Sequence, residues 1–475
     1  MAALTGKLQA ALALMGEGKC DGPALRAVAD DPAFRDLPSE VKSLVYSSLV
    51  YCIGGESTDA WLKLATAEPG APPLAWSLRF VEDTARNRYD DALVDLDTAV
   101  RIAKASYGSI ELDRDDAVFY LWRKLRDDPA RQRRLLADLD EANWRPANPL
   151  QDASVFWREY SLFLLQDGRV TDASRVAAKV TLPRELLLMR LDGQFDPLTR
   201  LHPENFDLTS AAEAFLERMQ KAYGTATDDT PAYEIIDNLR LLGRWDEALR
   251  FADATLAKAE LHDERGQDYR GWIEDRRAYV LSDLGRFDEA IAAERTAASR
   301  KEHAGPNVSN TINLAGMLNG AGRHSEALTV LKAFPDLPSL PAPKLVSEYG
   351  SMWIAAEQAC AALPLGDSAR AAEALAYTSA HQRENQAARA KALLCADDVE
   401  GAVQLYIAWL EQPRARAEAL LELSRFAPVA RPSFDTLIDQ RFAKMRDDPR
   451  LREAVAKVGR TETLPLHGGV WMDFQ

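Results

Sequence analysis

"LRLLGRWDEALRF", Leu239 to Phe251, is followed by two copies of its pattern: "YVLSDLGRFDEAIAA" (Tyr279–Ala293) and a looser "GMLNGAGRHSEALTV" (Gly316–Val330). Leu239, Leu241 and Leu242 close one helix. Gly243 is suited to the left-handed conformation that a helix end often requires, at no Cβ cost. Asp246 and Glu247 open the next helix, where their charge meets exposed N–H groups and the positive end of the dipole. Trp245 plugs the corner, and small Ala248 lets the two helices come close. The stretch reads as a helical hairpin with a very short turn.

The same slot recurs along the chain. Its alanines are Ala60, Ala92, Ala173, Ala248, Ala290, Ala327, Ala371 and Ala402. Twelve residues before each stand Ser48, Phe80, Ser161, Ile236, Ala278, Ala315, Ala359 and Ala390, six of them Ser or Ala. Small residues facing each other across a hairpin allow close packing. Most spacings fall near the period of helical-hairpin arrays. The long gaps Ala92–Ala173 and Ala173–Ala248 each hide a degenerate repeat. Asp115–Glu141 supplies a hairpin in the first and Ser210–Gly224 a helix in the second. Helical periodicity dominates throughout, with no sustained alternating pattern. Proline-rich connectors lie at Ala67–Trp76, Asn143–Pro149 and Phe334–Lys344.

Trp157, Tyr160, Ser161, Leu164, Ala173 and Ala177 fall, with substitutions, on the pattern W-x2-L-G-x2-Y followed by A-x3-F. So do Ser48, Tyr51, Ala60 and Leu64, and Trp76, Ala92 and Leu96. On these positions the chain, over roughly residues 40–425, resembles the tetratricopeptide repeat (TPR) family. Its central hairpins look like the longer-helix variant. The repeats depart from consensus in length and lack the closing proline. The resemblance implies an all-α fold, a right-handed superhelical α-solenoid of TPR-like hairpins. It also implies a peptide or partner helix held on the concave side. The expected organisation is degenerate hairpins over 1–145, central repeats over 146–335, C-terminal repeats over 336–430, and a capping helix with an irregular tail over 431–475. The segment Phe434–Gly459 is similar to the closing segment that often follows such repeats in bacterial proteins. A polar-faced cap is needed there to cover the last repeat. The tail "LPLHGGVWMDFQ" is apolar enough to pack onto the last helices or onto a partner.

Composition narrows the partners. Lys plus Arg number 58 against 73 for Asp plus Glu, a net charge of −15. Nucleic-acid binding needs a basic stripe, so this balance argues against it, although a local basic patch stays open. Neutral or basic protein partners fit better. No run is long and apolar enough to predict a membrane span. The N-terminal segment reads as an amphipathic helix rather than a secretory signal. That places the chain in the cytoplasm, or in the periplasm if a signal was removed beforehand. Cys20, Cys52, Cys360 and Cys395 show no paired motif spacing and read as buried free thiols. The alternative is a bridge, Cys20–Cys52 or Cys360–Cys395, which would imply an oxidising compartment.

Catalytic motifs are lacking: there is no phosphate-binding glycine loop, zinc-protease motif or nucleophile elbow. Six scattered histidines lack ligand spacing, so no metal and no cofactor are expected. What remains is the array. The first-helix faces not used for hairpin packing give a candidate groove of Tyr233, Asp237, Arg240, Trp272, Asp275, Tyr279, Ser309, Asn313 and Asn319. Asn side chains can bond a peptide backbone in both directions, and aromatic residues anchor desolvated contacts. Two functions follow. One is a non-catalytic scaffold or adaptor that binds a peptide segment. The other is a helical-repeat enzyme or enzyme subunit with a dispersed site. A deep closed pocket with converging carboxylates, or with a histidine beside one, would favour the enzyme; an open groove without them favours the adaptor.

Overall fold

The computed structural model describes residues 20–105, 115–146, 148, 151–226, 228–263, 268–302, 305–334 and 346–470, together with positions 4, 6–10 and 13. Most of the expected N-terminal helix, nearly all of the connector Phe334–Lys344, His303 and the terminal residues 471–475 with Trp471 lie outside the described residues. Two compact units form, Met1–Val176 and Ala177–Gln475.

The first unit contains α1 (Gly22–Ala29), α2 (Ser39–Cys52), α3 (Thr58–Ala67), α4 (Pro73–Ala85), α5 (Tyr89–Ala105), α6 (Asp115–Lys124), α7 (Pro129–Glu141), α8 (Ser154–Gln166) and α9 (Val170–Ala177), which ends at the boundary. The second begins with α10 (Pro183–Leu191), α11 (Asp196–Leu201), α12 (Leu208–Thr225), α13 (Thr230–Leu241), α14 (Trp245–Leu256), α15 (Arg270–Asp283), α16 (Phe287–Ser299), α17 (Val308–Gly320) and α18 (His324–Leu331). It continues with α19 (Glu348–Ala362), α20 (Ser368–Ala380), α21 (Gln386–Cys395), α22 (Val399–Leu410), α23 (Arg416–Leu423), α24 (Ser433–Arg446) and α25 (Pro449–Val458). The fold is all-α, a helical-repeat array. Among the described residues the sole paired strands are the two-residue segments Lys301–Glu302 and Gly305–Pro306. No described helix is long and apolar enough to cross a membrane.

One backbone rule builds the hairpins. Five residues before every slot alanine stands a residue with positive φ: Gly55, Asn87, Gly168, Gly243, Gly285, Gly322, Gly366 and Asp397, between 59° and 81°. Asn and Asp fill the left-handed position where Gly is missing, because their short polar side chains tolerate it best. In seven of the eight corners, all but Gly55, the next N–H donates to the carbonyl five residues earlier, as Arg244 does to Leu239 at 2.8 Å. This bond satisfies a carbonyl that the helix end leaves open. Seven slot alanines are buried and Ala60 is exposed. All eight residues twelve positions earlier are fully buried, and Ser161 Oγ lies 3.4 Å from the Ala173 carbonyl. The hairpin hidden over Asp115–Glu141 is α6–α7, and Ser210–Gly224 lies within α12.

Three features depart from the sequence reading. The cap is two helices, because Pro449 follows Asp448, whose side chain accepts from Arg450 N and starts α25 afresh. The cysteines are bridged, Cys20 to Cys52 and Cys360 to Cys395, with Cα atoms 5.3 and 5.0 Å apart. The separations of 32 and 35 residues form no motif, yet each is close to one hairpin period and brings the thiols together on neighbouring segments. The second unit also closes on itself. Its first segment, from α10 to the start of α11, meets α23 and the residues after α25 through Arg184–Glu418 at 2.5 Å, Arg416–Asp192 at 3.0 Å, and the ion pairs Arg190–Glu462 and Arg460–Asp196. Gly459 passes so close to the Leu191 carbonyl that a Cβ has no room.

Candidate functional site

The helices preceding the corners at Gly243, Gly285, Gly322 and Gly366 are α13, α15, α17 and α19. Together they line a cavity of about 420 Å³ in the second unit. Lys391 of α21, the linker Val429–Pro432, Asp435 of α24 and Gly469 complete its walls. Phe287, Ile291, Val308, Ile312, Met317 and Trp353 give it an apolar side.

Of the nine expected groove residues, Tyr233, Asp237, Arg240, Tyr279, Ser309 and Asn313 line this cavity. The other three do not. Trp272 stands edge-on to Tyr233, with ring centroids 6.3 Å apart. Asp275 is fully buried behind the wall, where it accepts from Asn313 Nδ2 at 2.9 Å. Asn319 is buried at the α17–α19 seam and donates to the Glu357 carbonyl at 3.0 Å and to Glu357 Oε2 at 2.8 Å. Helical periodicity fixes the direction of a side chain but not the depth of the neighbouring helix, which is why these three lie off the cavity. Sequence reasoning missed Arg276, Asp283, Trp353, Glu357, Lys391, Arg431 and Asp435. Arg276 and Asp283 share a helical face with Tyr279, a spacing that could have found them. Arg431 and Asp435 lie in the segment read as a cap and carried no signal.

Charged groups on one side of the cavity are locked together. Arg240 is 3% exposed; its Nε donates to Asp283 at 2.8 Å and its Nη1 to Asp237 at 3.2 Å. Arg276 Nη1 also donates to Asp237, at 3.2 Å. Arg276 Nη2 lies 2.9 Å from Asp275 Oδ2, without hydrogen-bond alignment. The Arg276 guanidinium lies over the rings of Tyr233 and Tyr279, 4.2 and 5.2 Å from their centroids. Burial works against both charged arginines, but Asp283 and Asp237 around Arg240, and Asp237 and Asp275 around Arg276, overcome it and hold both pKa values above the ordinary range. Behind them Glu294 is buried. Desolvation, then the charge of Asp275, push its pKa well above the usual carboxylate range. Burial likewise raises the Tyr279 hydroxyl.

A second group of charged residues on the cavity is arranged differently. Lys391 Nζ lies 2.6 Å from Glu357 Oε1, and Arg431 Nε donates to Asp439 at 2.9 Å. Half-buried Asp435 makes no hydrogen bond or ion pair among the described residues. Its carboxyl sits against Gly320, where a Cβ would lie 2.5 Å from Oδ2. Burial raises the Asp435 pKa; Arg431 and Lys391 oppose the rise, while Glu357 and Asp439 add to it.

Carboxylates therefore converge on the cavity, but Asp237, Asp283 and Glu357 each already hold a cation. Among the described residues no histidine lines it. Among the described residues no group of three or more His, Cys, Asp or Glu is arranged to hold a metal.

Neither family models nor curated proteins match the chain. Among solved structures it is similar to Naa15/Naa10 bound to HypK-THB, at 14% identity over 96% of this chain and 79% of that chain, with a TM-score of 0.26. A circular tandem repeat protein with novel repeat topology matches at 13% identity over 96% of both chains, with a TM-score of 0.15. At those TM-scores neither likeness bears on function, and the fold rests on the hairpins themselves.

Proposed function

We propose that this chain is a non-catalytic scaffold or adaptor of TPR-like repeats, and that the cavity of its second unit holds a short peptide segment of a partner protein. One observation carries the reading. The first helices of four successive hairpins converge on one half-apolar cavity whose lining carboxylates, Asp435 apart, are each tied to a cation. Paired charges of this kind are set for recognition; general acid–base work needs a group free to exchange its proton with substrate. The volume is that of a pocket for a ligand of drug-like size, about 300–1,000 Å³. It suits a few residues of a partner, not a whole helix. Asn313 on its wall offers a carboxamide to a peptide backbone, while its Nδ2 is held by Asp275. The two disulfides favour an oxidising compartment such as the periplasm over the cytoplasm.

The converging carboxylates are the observation that keeps the enzyme reading second rather than absent. A positional-scanning library of acetylated, amidated hexapeptides, read by fluorescence anisotropy, separates the two. A subset should bind the full chain, and Ser309→Arg, which fills the cavity, should weaken that subset at least tenfold without changing the melting temperature. Binding that is indifferent to Ser309→Arg, or no binding at all, would overturn the peptide reading.

A further inference from the structure

We propose that Asp435 is the specificity-determining residue of this cavity and takes the cationic side chain of a lysine or arginine in the bound peptide. The proposal rests on the reading of the cavity as a peptide site.

Charge balance is the first ground. In and directly behind the walls stand seven carboxyl groups, Asp237, Asp275, Asp283, Glu294, Glu357, Asp435 and Asp439. Four cations face them: Arg240, Arg276, Lys391 and Arg431. The contacts allot these cations to Asp237, Asp275, Asp283, Glu357 and Asp439. Asp435 is the one lining carboxylate without a hydrogen bond or ion pair among the described residues, with the charges of Arg431 and Lys391 acting on it from farther off.

Its position adds a second ground. The carboxyl lies against Gly320, the last residue of α17. The C-terminal end of a helix carries partial negative charge and unbonded carbonyls, so it favours a cation beside the carboxylate, which itself stands in the first turn of α24. Any side chain at Gly320 would displace Asp435. A carboxylate held there without a direct contact is raised by burial, as Asp435 is, and an incoming ammonium or guanidinium supplies that contact. A ligand carboxylate or phosphate would meet Asp435 and the helix end with the wrong sign.

The neighbouring wall suits the rest of such a side chain. Met317, Trp353 and Pro432 line the same cavity, and an apolar wall accommodates the methylene stem of Lys or Arg. The Trp353 ring already faces one cation, with Lys391 Nζ 5.8 Å from its centroid, and aromatic faces attract cations.

The test uses the full chain with its disulfides intact and acetylated, amidated hexapeptides drawn from the binding subset, with the anchor position set to Lys, Arg, norleucine, citrulline or Glu. Lys or Arg should bind at least tenfold tighter than norleucine or citrulline. Asp435→Asn should abolish that preference while leaving the melting temperature unchanged, and Asp435→Lys should turn it toward Glu. If the wild-type chain binds norleucine as tightly as lysine, or if Asp435→Asn keeps the preference, the assignment of Asp435 fails. Binding that stays sensitive to Ser309→Arg would then leave the peptide reading standing. If no peptide binds, that underlying reading fails first and takes this one with it.

Discussion

The corners at Gly243 and Gly322 share one backbone and differ in what covers them. Their φ values are 70° and 74°. In each, the following N–H reaches back to a leucine carbonyl, Leu239 or Leu318, at 2.8 Å. Around Gly243 the C-terminal segment has closed. His467 N donates to the Leu241 carbonyl at 2.9 Å, its ring meets Trp245 edge-on at 4.7 Å, and a Cβ on Gly243 would lie 2.7 Å from His467 Nε2. Around Gly322 nothing lies within 4 Å of such a Cβ. Gly285 is intermediate, with the Ala430 Cβ 3.3 Å away. The local motif sets the turn, and a distant segment decides which copies are buried. That segment also supplies Ala430 and Gly469 to the cavity wall, so the covered corners adjoin the site.

The largest expected effect separates these corners. Gly322→Ala meets only the left-handed backbone cost of an L-residue, about 1–2 kcal/mol. Gly243→Ala meets the same cost and must also move His467, an overpacking effect of about 1–3 kcal/mol. Urea unfolding of the second unit, assigned by hydrogen exchange, reads both. Adding His467→Ala should recover the excess loss in the Gly243→Ala background, whereas in Gly322→Ala it should add only the cost of the lost His467–Trp245 contact. Equal losses for the two glycine variants would show that the C-terminal segment is not seated on the first corner.

The contrast also marks what a sequence can carry. Corners are local: Gly243, Gly285 and Gly322 sit five residues before a small buried alanine, and that spacing is visible on one line of text. Asn87 and Asp397 do the same work with other letters, so only the alanine frame revealed them. The candidate site was legible in part because Tyr233, Asp237, Arg240, Tyr279, Ser309 and Asn313 repeat one helix face at one hairpin period. Asp275 and Asn319 lie on similar faces but a layer deeper, because Arg276 and Glu357 stand beside them and no periodicity encodes depth. Asp435 and His467 reach the array across more than a hundred residues of chain from the corners they touch. Such contacts depend on the closure of the second unit through Arg184, Asp192 and Arg460, which leaves no local pattern. The bridges stood only as the alternative reading for a related reason, since a pair one repeat apart looks like two unrelated cysteines.

A smaller effect tests the third corner from another side. Where the first two copies carry Trp245 and Phe287, the third carries His324. Its ring lies edge-on to Phe434 at 4.7 Å, with Nδ1 3.1 Å from Asn319 Oδ1. Burial lowers its pKa below the ordinary 6.5. The unfolded chain therefore takes up a proton near pH 6.5 while the folded chain does not. This contribution is complete above that pH and is lost as the pH falls toward the depressed folded value. Other groups titrate in the same range, Glu234 among them, pushed up to about 7 by burial. The difference between wild type and His324→Phe is thus the quantity to measure. Thermal melts from pH 7.5 to 5.5 should show the wild type losing more stability on acidification than the variant. Parallel curves would remove His324 from the account.

The smallest effect concerns the arginine that follows the left-handed glycine in each copy of the motif. After the left-handed glycine, Arg244, Arg286 and Arg323 each clamp the glutamate three residues on, with Nε to carboxylate distances of 2.9, 2.8 and 2.7 Å. Arg169 does the same to Asp172 at 2.9 Å after Gly168. Each clamp sets an acid in the first turn of the second helix, where the dipole favours it, and the arginine pulls Glu289 and Glu326 below the usual carboxylate range. Solvent screens such exposed pairs, and their measured worth is small. Arg286→Gln should therefore shift the melting temperature by about 1 °C or less and leave peptide binding untouched, since neither Arg286 nor Glu289 lines the cavity. A triple variant at Arg244, Arg286 and Arg323 is the sharper form. If it melts several degrees lower, the clamps and not the left-handed residues set the corners, and the equivalence of the Gly243 and Gly322 turns is electrostatic instead of conformational. If it melts with the wild type, the conserved geometry of the corners belongs to φ alone, and Gly322→Ala should remain the more damaging change.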